Sequence, residues 1–186
     1  CQLAASRGGQ TAALYAFLRA ALPYRDGEGG VSLLLSCCGI PARWAGREAL
    51  FKEHTAEIRK EWEVLGRPRI MAACSSCLSA LRLALPEARS VSVWEVLNGL
   101  PLPPEHVDGL AKDRAEAALP KVFSIHDPCT ARWDGAWLEA VRGLARKCGA
   151  RLEEPRLTGA TTACCGYGGL VWCAQPELAQ AMSEHR

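Results

Sequence analysis

The chain has no apolar run near the roughly 18–20 residues needed to cross a bilayer, so it offers no transmembrane helix. It also lacks an excess of either charge. A net charge of +2 gives no reason to expect nucleic acid or an anionic membrane surface as a partner. There is no signal peptide. The chain opens on Cys1 rather than Met, so an earlier N-terminus is expected. No G-x-G-x-x-G fingerprint is present, because Gly166-x-Gly168-Gly169 has the wrong spacing and context. Any flavin or pyridine nucleotide is therefore expected on another domain or subunit. Ten cysteines in 186 residues are too dilute for a small disulfide-stapled scaffold. Reduced thiols in a cytoplasmic chain fit better, with metal, cluster or redox roles.

An apolar share of 49% and a charged share of 23% suit a globular domain, or two small similar ones, with a core of useful size. Apolar spacing predicts a helix over 11–22, with Leu14, Tyr15, Leu18 and Leu22 on one side. A second helix has Phe51, Ile58, Trp62 and Leu65 on its face and ends at Gly66 and Pro68. A third, after Cys74, runs to Pro86. A fourth is capped by Asp134, carries Trp137, Leu138, Val141, Leu144 and Ala145, and closes at Gly149. Pro176 opens a last helix. Trp62 and Trp137 are expected in the core. Strands are expected at 31–36, 68–73, 90–96 and 121–126, the first as a buried parallel strand. The segment 98–105 is rich in Pro and Gly and reads as a linker.

The pattern of strand, then cysteine, then helix points to an α/β fold. It would hold two similar repeats, each a small mostly parallel sheet flanked by helices, with cysteines at the carboxyl ends of strands. The repeats span 1–97 and 121–186, joined by 98–120. Helix N-termini at those strand ends present backbone N–H groups and a positive dipole end, which suit thiolates and anionic clusters.

The thiols themselves repeat. Cys1 is followed after 35 residues by Cys37-Cys38-Gly39, and Cys38 after 35 more by Cys74-Ser-Ser-Cys77. The layout restarts with Cys129, 34 residues, then Cys164-Cys165-Gly166. A lone C-x-x-C is used by zinc ribbons, thioredoxin-like proteins and ferredoxins alike. Five thiols exceed the four of a closed zinc site, whereas a multi-iron cluster can employ all five if one sulfur bridges two irons. Cys148, on the apolar face of the fourth helix, is expected to pack in the core. Cys173 lies outside the motif. His126 reads as a hydrogen-bonding residue beside Asp127-Pro128-Cys129, and the glycines of 166–169 let the backbone turn or pass close to a cluster.

The order Cys1-(x35)-Cys37-Cys38-Gly39-(x34)-Cys74-x-x-Cys77 resembles the signature of the cysteine-rich CCG-domain family, and the 129–169 stations resemble its second repeat. That family includes the disulfide-reducing subunit of heterodisulfide reductase and iron–sulfur subunits of glycolate, lactate and some succinate oxidoreductases. The resemblance implies a [4Fe-4S] cluster, in some members a non-cubane one. Cys1, Cys37, Cys38, Cys74 and Cys77 would hold the first, and Cys129, Cys164 and Cys165 would begin a second. The repeat offset puts a further C-x-x-C roughly at 201 and 204, beyond Arg186, so the second repeat is expected to be incomplete. The implied role is electron transfer within a redox complex that contains a flavoprotein or ferredoxin-like partner. The expected location is the cytoplasm, peripheral to a membrane only through partners. Two other chemistries fit the same residues: a zinc-stabilised scaffold that docks a partner subunit, and a metal-free dithiol acting through Cys74 and Cys77.

Overall fold

The computed structural model describes residues 7–23, 29–102 and 122–184. The backbone falls into two compact units, Cys1–Cys38 and Gly39–Arg186. The boundary lies inside the expected first repeat, and both strand pairs belong to the larger unit. The expected linker lies largely outside the described residues.

In the smaller unit, α1 (Gly8–Ala21) buries Leu18. Tyr15 Oη donates to the Val31 carbonyl at 3.3 Å and ties the helix to the segment leading to Cys37. That segment corrects one expectation. Residues 31–36 form no strand, and Leu33, Leu34 and Leu35 are 46%, 42% and 59% exposed. An apolar run becomes a strand only when a neighbour takes up its N–H and C=O groups. Among the described residues, no strand pairs with this one.

The larger unit begins with α2 (Ile40–Trp44), directly after Gly39, and α3 (Glu48–Val64). Phe51, Thr55, Ile58 and Trp62 recur at helical spacing and are the buried stripe of α3. Leu65, expected on the same face, sits at the C-cap and is exposed. Gly66, at φ 81°, ends the helix with a left-handed residue. The chain then forms β1 (Met71–Ala72), α4 (Ser75–Ala84) and β2 (Val91–Ser92). The strands pair in parallel, Met71 with Val91 and Ala72 with Ser92.

The expected strand over 90–96 is thus cut to two residues. A capping box stops it: Ser92 Oγ accepts from the Trp94 N–H at 3.1 Å, and Glu95 Oε1 accepts from the Ser92 N–H at 3.2 Å. The caps satisfy orphan N–H groups and start α5 (Val93–Gly99), which overrides the alternating pattern.

The second half also runs strand, helix, strand. β3 (Val122–Phe123) pairs in parallel with β4 (Arg151–Leu152), and α6 (Gly135–Lys147) lies between them in sequence. Asp134 caps α6 as expected, its Oδ1 accepting from the Trp137 N–H at 3.1 Å. Two further helices follow, α7 (Val171–Ala174) and α8 (Pro176–Glu184), the second opened by its proline. One apolar cluster joins the first strand pair to the start of α6. It joins Ile58, Trp62, Leu78, Leu81 and Leu85 to Ala131 and Trp137, so both tryptophans lie where expected. Helices packed with small parallel sheets make this an α/β fold.

Candidate functional site

Cys74 stands just past β1 and is the N-cap residue of α4. The segment that delivers it is pinned by two indoles. Trp62 Nε1 donates to the Pro68 carbonyl at 2.6 Å, and Trp94 Nε1 donates to the Ala73 carbonyl at 3.0 Å. The Cys74 thiol is exposed and held down at about 5. The Cys77 side chain hydrogen-bonded to it contributes most, and burial opposes. The N–H groups of Cys77 and Ser76 and the Ser76 hydroxyl add to the lowering. These N–H groups are the orphan donors of a helix's first turn, so they favour a negative sulfur. The Cys74–Cys77 pair thus favours a thiolate at neutral pH.

Cys129 opens a 3-10 turn (Cys129–Ala131) and behaves in the opposite way. Burial raises its thiol, and so do the charges of Cys164 and Cys165 and a hydrogen bond with Cys164, while Arg132 opposes. Cys129 is thus a hydrogen-bonding neighbour of Cys164 and within reach of the charge of Cys165, although the chain separates them widely. Asp127, just upstream, is 1% exposed. Burial alone would push its carboxyl up. Hydrogen bonds from Arg142, the Gly159 N–H and Thr158 together hold it down at about 2.

The two cysteine groups approach along a seam. Ser75 Oγ and Thr130 Oγ1 are 2.7 Å apart, and Arg82 Nη1 donates to Asp134 Oδ2 at 2.5 Å. The residue after Cys74 thus touches the residue after Cys129. A cavity of about 230 Å³ lies in this seam, with Ser75, Arg82, Thr130 and Trp133 among its walls.

The remaining candidates are distributed as follows. Cys37 is half-buried and Cys38 buried at the end of the first unit. Gly39 follows at φ 76° as the N-cap of α2, and a Cβ there would stand 3.1 Å from His54 Cβ and from Phe51 Cδ2. Gly166 follows Cys165 at φ 74°, and a Cβ there would stand 2.5 Å from the Ala179 carbonyl oxygen. Cys1 lies outside the described residues. Cys148 is half-buried at the C-cap of α6, Cys173 is exposed in α7, and His126 is exposed.

Among the described residues, no three His, Cys, Asp or Glu side chains are set to hold one metal ion. What the structure brings together is a pair, Cys74 with Cys77, and a neighbouring trio, Cys129 with Cys164 and Cys165. Their chemistry suits a thiolate-bound centre. A preformed thiolate with N–H groups directed at sulfur is the environment in which iron–sulfur clusters are held and tuned. Sequence patterns passed over Arg142, Thr158 and Thr162. The one available signal was an arginine among the apolar residues of α6.

Residues 30–82 match the model of the CCG family, described as a cysteine-rich domain. That stretch is thus similar to a cysteine-rich CCG domain. It is also 28% identical over 163 residues, 81% of its length, to a subunit of the dihydromethanophenazine:CoB–CoM heterodisulfide reductase of Methanosarcina barkeri (strain Fusaro / DSM 804). The chain spans 38% of that relative's length. No solved structure matches it significantly. No helix among the described residues is long and apolar enough to cross a membrane.

Proposed function

We propose that the chain is an iron–sulfur electron-transfer domain of a heterodisulfide-reductase-like redox complex, an oxidoreductase component that works with partner subunits. It would pass electrons to a disulfide, or between a flavoprotein or ferredoxin-like partner and an acceptor. The observation that carries this reading is the Cys74 thiolate with Cys77 at the N-terminus of α4, inside the segment that matches the CCG family. Cys1, Cys37, Cys38, Cys74 and Cys77 are the proposed ligands of one [4Fe-4S] cluster, and Cys129, Cys164 and Cys165 belong to a second. When bound, a cluster supplies one-electron capacity at a potential set by burial and hydrogen bonds to sulfur. The chain's own residues prepare that site. The N–H groups of Ser76 and Cys77 stabilise negative sulfur, and Trp62 and Trp94 fix the strand end that carries Cys74. Ser75 and Thr130 hold the two cysteine segments in register.

The same reading treats the chain as two repeats, 1–97 and 121–186, joined by 98–120. Its support is a shared turn. Each Cys-Cys-Gly ends on a glycine at nearly the same positive φ, 76° and 74°. Each is followed by a short helix and a longer one, α2 with α3 and α7 with α8.

The direct test is to purify the chain anaerobically and measure iron, acid-labile sulfide and zinc. Iron and sulfide in equal amounts are expected. One zinc and no iron would remove the electron-transfer reading of the first site in favour of a zinc-stabilised scaffold. The low Cys74 thiol favours one further reading, a metal-free dithiol at Cys74 and Cys77. Cys37→Ser and Cys38→Ser separate the two. Both lose iron if the cluster is correct, and both leave redox activity largely intact if the dithiol acts alone.

A further inference from the structure

The segments that carry Cys129 and Cys164-Cys165 meet at one carboxylate. Asp127 lies two residues before Cys129. Its Oδ1 accepts from Arg142 Nη1 at 2.9 Å. Its Oδ2 accepts from Arg142 Nη2, Thr158 Oγ1 and the Gly159 N–H, each at 2.8 Å. Its backbone carbonyl accepts from Thr162 Oγ1 at 2.8 Å, two residues before Cys164. On the far side of Cys129, Arg132 Nη2 donates to the Thr162 carbonyl at 3.1 Å. Arg142 is steadied in turn by Glu154, whose carboxylate accepts from Nε at 2.8 Å and from Nη2 at 2.7 Å.

Among the described residues, hydrophobic burial does little to hold the second segment. Between 153 and 165 no apolar side chain is buried, and Thr162 is the one buried residue. Hydrophobic burial is roughly proportional to area removed from water, so it contributes little to fixing this loop. The bonds to Asp127 are charge-assisted and doubled by the fork of a guanidinium, which gives geometric precision as well as attraction. A buried carboxylate is costly unless its lone pairs are filled, and here both oxygens are.

We propose that Asp127 and Arg142 are positioning residues that clasp the two segments and hold Cys129 against Cys164 and Cys165 before any metal arrives. The metal-binding consequence rests on the ligand reading above, whereas the clasp itself does not.

The test uses the full chain, reduced and metal-free, treated with dibromobimane, which bridges neighbouring thiols. Mapped peptides report which cysteines were joined. In the unsubstituted chain, bridges are expected within 74/77 and between 129 and 164/165. Asp127→Asn keeps the side-chain volume and removes the charge. It lowers the 129–164/165 bridge on the order of tenfold, as the loss of a charged hydrogen bond implies, and leaves the 74/77 bridge unchanged. Thr158→Val removes one hydroxyl and gives a smaller drop of the same selectivity. Arg142→Lys restores part of the yield relative to Arg142→Met. If Asp127→Asn unfolds the chain, Thr158→Val decides. The clasp is overturned if that variant leaves the second bridge at full yield, or lowers both bridges alike. Iron analysis of the unsubstituted chain is read separately. A chain without iron but with the selective bridging pattern would remove the cluster reading and keep the clasp.

Discussion

Cys74 and Cys129 each follow a short parallel strand, yet the protein pushes their thiols in opposite directions. At Cys74 the next residues enter a ten-residue helix, and its unused N–H groups turn towards sulfur. At Cys129 the next residues form a single 3-10 turn, and the neighbours of the sulfur are two more cysteines. One group is a pair in which a helix end favours negative sulfur at Cys74. The other is a set of thiols gathered by polar side chains, with Cys129 pushed towards its neutral form. The two groups thus show two ways to set thiols close together: stabilise negative sulfur with a helix end, or fix positions with a polar network and leave the sulfur protonated.

Four measurements break or sharpen this contrast. The largest effect is expected at the glycines. Gly166→Ala forces a Cβ to 2.5 Å from the Ala179 carbonyl oxygen and 2.9 Å from its Cα, at a positive φ. It should cost about 4 kcal/mol, from left-handed strain of about 1–2 kcal/mol and overpacking of about 1–3 kcal/mol. Gly39→Ala, also at a positive φ, meets His54 Cβ and Phe51 Cδ2 at 3.1 Å and the Phe51 carbonyl oxygen at 3.2 Å, looser contacts than at Gly166, and should cost about 2 kcal/mol. Denaturant unfolding reads both, and equal costs would erase the difference between the two turns.

The next effect comes from acid. Asp127 is held at about 2 against an ordinary 3.8. Above pH about 5 the carboxyl is ionised folded or unfolded, and its stabilisation is fully present. As pH falls, the unfolded chain takes up the proton first, and about 2 kcal/mol is lost by the time pH reaches the folded value. Unfolding followed from pH 5 to 2 should show this slope, and Asp127→Asn should flatten it.

Alkylation compares the two sulfurs directly. At pH about 5.5 Cys74 is mostly thiolate, while Cys129, raised from 9.0, is almost wholly thiol. The intrinsic nucleophilicity of a low-pKa thiolate takes back part of the advantage, so labelling of the metal-free chain should favour Cys74 about tenfold or more. The preference should shrink towards neutral pH as the Cys129 thiolate fraction rises. The smallest effect is Ser76→Ala, which removes one hydroxyl from Cys74 and moves its alkylation midpoint upward. An unchanged midpoint would leave the backbone N–H groups and Cys77 as the whole cause.

Much of this was legible in the residues, for identifiable reasons. The buried stripe of α3, the Asp134 cap and the proline that opens α8 depend on local spacing, which a sequence displays directly. The Cys74 station was also visible, because strand, thiol and helix are consecutive. What stayed hidden depended on partners far along the chain. Leu33, Leu34 and Leu35 have the composition of a buried strand and are exposed without a neighbour to pair with. Ser92 and Glu95 were a readable capping box masked by alternating valines. Asp127 meets Arg142 and Thr158 only through the fold, and no spacing rule foretells that meeting.

The Asp127 clasp also determines how the chain responds to ionic strength. Its central Asp127–Arg142 pair is buried, so added salt reaches it little, whereas the half-exposed Arg82–Asp134 pair across the seam lies within reach of counter-ions. At about 1 M salt, where charges are screened over roughly 3 Å, the seam between α4 and the Cys129 turn should loosen while Cys129 keeps its place beside Cys164. Salt therefore becomes a tool for separating contact between the two thiol groups from order within one of them.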